Sequence, residues 1–154
     1  MLNKIFKIVY LISILTLFLT ACGHEDDDDN ETYISSNGGQ KSHNTGQNCL
    51  SCHKSGNEVI FTVAGTVYQI QDLTLVLPNV KIQFHDGPNT SGNLIHSIDV
   101  DALGNFYTTN ALSWGNGLYV SVVVPDGVTN SMSFVVTEGE CGRCHGVNEN
   151  QIYG

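Results

Sequence analysis

Between residues 59 and 138 apolar side chains recur at two-residue spacing in short runs, and clusters of turn formers separate those runs. Val80, Ile82 and Phe84 alternate with Lys81, Gln83 and His85, which predicts a half-buried strand. Residues 59–71 (VIFTVAGTVYQIQ) predict a longer strand with Phe61, Val63, Gly65 and Val67 on one face. Further strands are expected at 73–77, ended by Pro78, and at 94–100, 105–110, 118–124 and 131–137. Residues 86–93, 101–104 and Pro125-Asp126-Gly127 read as the turns between them. No helical period persists beyond about two turns. About seven strands at this spacing predict an all-β domain, a small antiparallel Greek-key β-sandwich over residues 59–138.

A different apolar pattern opens the chain. Residues 8–19 carry no charge, are dominated by Leu and Ile, and follow Lys4 and Lys7. That is the length of a secretory h-region and short of the about 20 residues of a membrane span. An uncleaved anchor helix is the competing reading. Leu19-Thr20-Ala21-Cys22 resembles the lipobox of bacterial lipoproteins. The resemblance implies that residues 1–21 are a signal peptide and that Cys22 is the lipidation site, where two or more acyl chains make a stable anchor. The protein is then exported and lipid-anchored.

Residues 22–47 read as a tether. Six acids crowd into residues 25–31 (EDDDDNE), a run that repels itself and stays solvated. A calcium site is the weaker reading, because consecutive acids do not converge without a folded loop. In some lipoproteins of two-membrane bacteria acids near the lipidated cysteine mark export to the surface. Gly23, with no Asp there, is similar to the pattern of outer-membrane sorting. Residues 35–47 (SSNGGQKSHNTGQ) are polar and glycine-rich, and read as linker.

The chain has 154 residues, enough for one domain, and 41% of them are hydrophobic, enough for a core. Charged residues make up only 14%, against about 25% in an average globular protein. The net charge is -9, and loss of Lys4 and Lys7 with residues 1–21 takes it to -11. This excess argues against nucleic acid and against docking on anionic lipid through a basic patch.

The candidate chemistry brackets the predicted sandwich. Residues 48–58 contain Cys49-Leu50-Ser51-Cys52-His53 and residues 139–154 contain Cys141-Gly142-Arg143-Cys144-His145. Both are C-x-x-C-H, the attachment pattern of c-type haem. Two thiols three positions apart reach the two vinyl groups of one porphyrin edge, and the following His becomes the proximal iron ligand. The two motifs use every cysteine except Cys22. With their flanks they resemble the haem sites of multihaem c-type cytochromes, which implies two covalently bound haem c groups. A four-cysteine zinc site competes with this reading but leaves the His after each pair unexplained. Thioredoxin-type disulfides would need a βαβ setting that is missing, and one disulfide between the motifs leaves two thiols unused.

Ligand counting constrains the irons. With Met1 in the signal peptide, Met132 is the one remaining methionine, so no more than one iron is His/Met ligated. His53 and His145 are proximal ligands and His24 adjoins the anchor, which leaves His43, His85 and His96 as distal candidates beside Met132. An ordinary strand or surface role competes for each. At least one iron is therefore bis-His, with a lower potential than a His/Met iron, or has an open sixth site. Nine residues after His145 are too few to bury a porphyrin, so an exposed haem edge is expected.

The segments 63–68, 79–82, 101–107 and 117–120 resemble carboxypeptidase regulatory-like (prealbumin-type) domains, which implies a scaffold fold and no activity. The expected function is electron transfer between redox partners, cytochromes with basic surfaces among them, in the periplasm or at the cell surface. The alternatives are a haem sensor or enzyme with an open iron, and a structural surface module clipped by zinc. No catalytic residues are expected. Whether the two motifs meet depends on topology: parallel, adjacent first and last strands would put them at opposite ends, and a folded-back linker would put them at one.

Overall fold

The structure, a computed structural model, describes residues 32–154 apart from Asn57, Gln71 and Val128. The expected signal peptide, the Cys22 site and the acidic run at 25–31 lie outside the described residues.

Nine strands form among the described residues: β1 (Val63–Gln69), β2 (Asp72–Val76), β3 (Lys81–His85), β4 (Leu94–Asp99), β5 (Asn105–Thr108), β6 (Tyr119–Val123), β7 (Thr129–Ser131), β8 (Gly139–Glu140) and β9 (Ile152–Tyr153). One sheet has the order β4-β3-β6-β7 and is antiparallel throughout. The other is built around β1. The antiparallel strands β5 and β2 follow one another along one edge of β1, while β8 and β9 run parallel to its other edge. The chain passes between the sheets at β2–β3, β4–β5, β5–β6 and β7–β8. The fold is thus the all-β, antiparallel-rich sandwich that the alternation predicts.

The inward positions of both sheets make one core. Val63, Val67 and Phe106 from the β1 sheet meet Ile82, Phe84, Ile98 and Val122 from the other, with Val80, Val100 and Leu118 at the ends. Phe84 is fully buried and meets Trp114 edge-on, with ring centres 6.1 Å apart. The period-2 pattern of β3 shows in its burial, with Ile82 and Phe84 inward and Lys81 outward, paired with Asp99, but it breaks at His85, which is buried as well.

Four expectations need correction. The first strand begins at Val63 rather than residue 59, because its predicted start is bonded to the first motif. His53 Nδ1 bonds to Val59 O (2.8 Å), and Phe61 N–H donates to His53 O (2.9 Å). Phe61 accordingly leaves the inward face and stacks on Tyr107, at 4.9 Å. The expected strand at 131–137 is reduced to β7, followed by one isolated bridge between Leu118 and Val136. Phe134 and Val135 lie in the apolar run 134–136 yet stay exposed, so that run is not a core pattern. The two-residue strands β8 and β9 are too short to leave a period.

The fourth correction concerns residues 35–47. They are not a free linker but are bonded across the β1 sheet. Ile34 bridges Thr108, and Ser35, 3% exposed, donates from Oγ to Asp99 O (2.6 Å) and accepts from Tyr107 N–H (3.1 Å). Ala102 N–H donates to Gly39 O (2.8 Å), and Asn105 Nδ2 donates to Ser42 Oγ (2.9 Å) and Thr45 Oγ1 (3.1 Å). Small hydroxyl residues and glycines have linker composition, but the same groups satisfy buried backbone when a sheet edge lies beside them.

Replacing Phe84 by Ala empties the centre of this core and is expected to cost about 3–5 kcal/mol. Urea unfolding checks this: the midpoint falls while the denaturant slope stays constant.

Candidate functional site

The two C-x-x-C-H segments fold alike. Each starts with one 3-10 turn, Cys49–Ser51 in the first and Cys141–Arg143 in the second. In the first, Cys49 O accepts N–H bonds from Cys52 (3.2 Å) and His53 (3.0 Å). In the second, Cys141 O accepts them from Cys144 (3.3 Å) and His145 (3.1 Å). The closing cysteines have nearly the same backbone angles, φ -104°, ψ -41° at Cys52 and φ -107°, ψ -50° at Cys144. One turn of this kind brings both thiols and the imidazole of a motif close together, with no long-range contact required.

Both histidines also make the same bond. His53 Nδ1 lies 2.8 Å from Val59 O and His145 Nδ1 lies 2.6 Å from Asn150 O. A carbonyl oxygen can only accept, so Nδ1 carries the proton and Nε2 keeps its lone pair. In metal sites a bond of this kind fixes the tautomer and orientation of a ligating imidazole.

The motifs meet at one end of β1. β8 places Gly139 and Glu140 beside Val63 and Ala64 and delivers Cys141 over Gly65. A Cβ at Gly65 would come within 2.7 Å of the Phe106 ring and 3.2 Å of Cys141 Cβ, so glycine lets the second motif settle on the sheet. Gly142 packs against the first motif in the same way, since a Cβ there would lie 3.0 Å from Asn48 Cα. The residues that precede the two motifs bind each other: Asn48 Nδ2 donates to Glu140 Oε1 (3.0 Å). Lys54 Nζ donates to Glu140 Oε2 (3.0 Å), and Arg143 pairs with Glu138. Asn48 Oδ1 is buried without a partner between the motifs. The first and last ladders are parallel and adjacent, yet the motifs share an end because β8 is only two residues long.

The four thiols are free. Burial, followed by the nearby Cys49, pushes the Cys141 thiol up to about 12. Burial also raises Cys49, while Cys52 and Cys144 are exposed. Each motif thus has one sheltered and one exposed sulfur. No group of three or more His, Cys, Asp or Glu among the described residues is gathered as metal ligands.

The surroundings of the two motifs differ. His53 is buried, with Phe61 stacked on it at 4.3 Å and His43 at 5.8 Å, tilted by 44°. The second motif opens on a cleft of about 530 Å³. Cys141, Cys144 and His145 form part of its wall, with Phe84, Phe106, Val120, Met132, Phe134 and Ile152 around them. The volume and apolar lining suit a prosthetic group of porphyrin size.

Among the distal candidates the structure brings His43 to the first motif and Met132 into the cleft of the second. It does not bring His85 or His96 into that cleft. His85 ends β3 and bonds through Nε2 to Gln83 Oε1 (3.2 Å). His96 pairs with Phe84 across β3 and β4, and burial lowers its pKa. Sequence reasoning missed Asn48 and Glu140, although each stands immediately before its motif, and it missed Asn105, whose role needs the fold.

No protein-family model, curated protein or solved structure matches this chain.

The Asn48 amide, followed by Lys54, holds the Glu140 carboxyl below its ordinary value. A depressed carboxylate contributes stability above its unfolded pKa, about 4.3, that is lost as pH falls through the lower folded value. Glu140→Gln is therefore expected to lower stability at neutral pH by less than about 1 kcal/mol, since Lys54 is 65% exposed. The gap from wild type should close as the medium is acidified below about pH 4. Urea midpoints of both proteins across that range give the measurement.

Proposed function

We propose that the protein is a dihaem c-type cytochrome, tethered to a membrane through lipid on Cys22, that passes electrons between redox partners in the periplasm or at the cell surface. The observation that carries this reading is the repeated turn, with an imidazole in each copy anchored through Nδ1 to a backbone carbonyl.

Cys49 and Cys52 would hold one haem and Cys141 and Cys144 the other, each thiol adding its S–H across a vinyl double bond. His53 and His145 would be the proximal ligands. Bound haem supplies one-electron exchange at iron. The chain does the rest. Val59 and Phe61 hold His53, and Asn150 holds His145, each in one orientation. The Asn48–Glu140–Lys54 contacts keep the two attachment turns side by side, so that electrons need not cross the sandwich.

The remainder of the molecule serves as scaffold and spacer, in keeping with the resemblance to prealbumin-type domains, and the reading assigns no catalytic residue. The excess of acidic over basic residues favours partners with basic surfaces, such as cytochromes whose haem edges are ringed by lysine, through small transient contacts weakened by salt. It disfavours nucleic acid.

Expression with a c-type maturation system tests the reading. The intact mass is expected to include two porphyrins that survive denaturation, and a pyridine haemochrome assay should give two haems per chain. Cys49→Ala with Cys52→Ala should remove one of them, as should Cys141→Ala with Cys144→Ala. A colourless protein of unmodified mass refutes the proposal. Separately, Cys22→Ser is expected to move the protein from the detergent phase to the aqueous phase on phase separation.

A further inference from the structure

We propose that His43 is the second axial ligand of the iron held by His53. This rests on the haem reading of the first motif and deepens it by assigning one residue among the distal candidates. The ring centres of His43 and His53 are 5.8 Å apart with planes at 44°, so the rings are not stacked in parallel. Two imidazoles on opposite sides of one metal, with bonds of about 2 Å each, have ring centres about 6 Å apart. The observed ring-centre spacing of 5.8 Å is close to that value.

The two rings are held differently, as a fixed ligand and a closing ligand would be. His53 is clamped by Val59 O on Nδ1 and by Phe61 on its face, with Phe61 backed in turn by Tyr107. His43 is exposed and makes no hydrogen bond with any described residue. Its backbone nevertheless has a defined place. Ser42 and Thr45 on either side both accept from Asn105 Nδ2, and Gly46 N–H donates to Thr66 Oγ1 (3.0 Å). Asn105 is itself buried, and its Oδ1 accepts from Thr66 Oγ1 (2.6 Å). A short loop pinned at both ends thus presents an unengaged imidazole beside the proximal one. His85 and His96 are built into the other sheet and have no comparable relation to His53. Asn105 is a positioning residue in this scheme.

The experiment compares the matured wild-type chain with His43→Ala and His43→Met. Intact mass first establishes that the first motif carries its porphyrin. If it does not, the haem reading fails there, and the variants are not needed to see it. With both haems attached, His43→Ala is expected to turn one of the two irons high-spin in the electronic and magnetic resonance spectra. CO binding by the reduced protein should rise by one equivalent per chain over wild type, and added imidazole should restore the low-spin spectrum. An unchanged spin state with no added CO binding overturns the assignment. Should the alanine variant fail to mature, His43→Met decides the question. A ligating methionine keeps that iron low-spin and raises its potential, whereas an unchanged potential overturns the assignment.

Discussion

The arrangement depends on β1 being paired along both edges at its first two residues. Val63 and Ala64 face Thr108 and Tyr107 of β5 on one side and Gly139 and Glu140 of β8 on the other. A strand in that position has no free backbone groups, so whatever enters and leaves its start is fixed by main-chain bonds rather than by side chains. The first attachment segment reaches β1 through residues 59–62, and Thr62 N–H donates to Thr108 O (2.8 Å). The second leaves β8 directly. Two segments 92 residues apart in the chain, at Asn48 and Glu140, are thereby brought into hydrogen-bond contact.

Such closeness has an electrostatic consequence. Burial raises both sheltered thiols, and a neighbouring sulfur adds to it, Cys49 beside Cys141 and Cys52 beside Cys49. The sheltered thiol of each motif therefore stays protonated at neutral pH. Glu140 has the opposite environment, with the Asn48 amide and the Lys54 ammonium directed at it. The junction between the motifs thus combines neutral sulfur with one stabilised carboxylate, and the net charge of the protein falls elsewhere.

The fold was legible where periodicity was long enough to read. Residues 81–85 alternate in sequence and form β3, and the short apolar run within 118–124 forms β6. The pairing of β8 and β9 with β1 was not legible, because two residues hold no period and parallel pairing is a property of the whole chain. Residues 35–47 misled for a chemical reason. Ser35, Ser42 and Thr45 signal linker by composition, yet their hydroxyls bond to groups on residues 99–107 that no local window includes. At the candidate site, the two C-x-x-C-H segments were readable because the spacing itself creates the turn. The choice among His43, His85, His96 and Met132 was not, since it depends on which side chain the tertiary structure leaves unengaged and near.

That choice has a further consequence for how the two sites compare. They share a local turn but not an environment. The first is flanked by an aromatic column, with His53, Phe61 and Tyr107 stacked in succession, and by the exposed His43. The second borders an apolar cleft whose one thioether side chain comes from Met132. A thioether in place of a second imidazole disfavours extra positive charge at a metal, so it raises the reduction potential relative to a metal held between two imidazoles. Under the haem reading the identical turns would therefore hold unequal redox centres. The inequality would come from the sandwich, whose cleft presents Met132 to one motif while a pinned polar loop presents His43 to the other, and its sign would make the first site the stronger electron donor of the two.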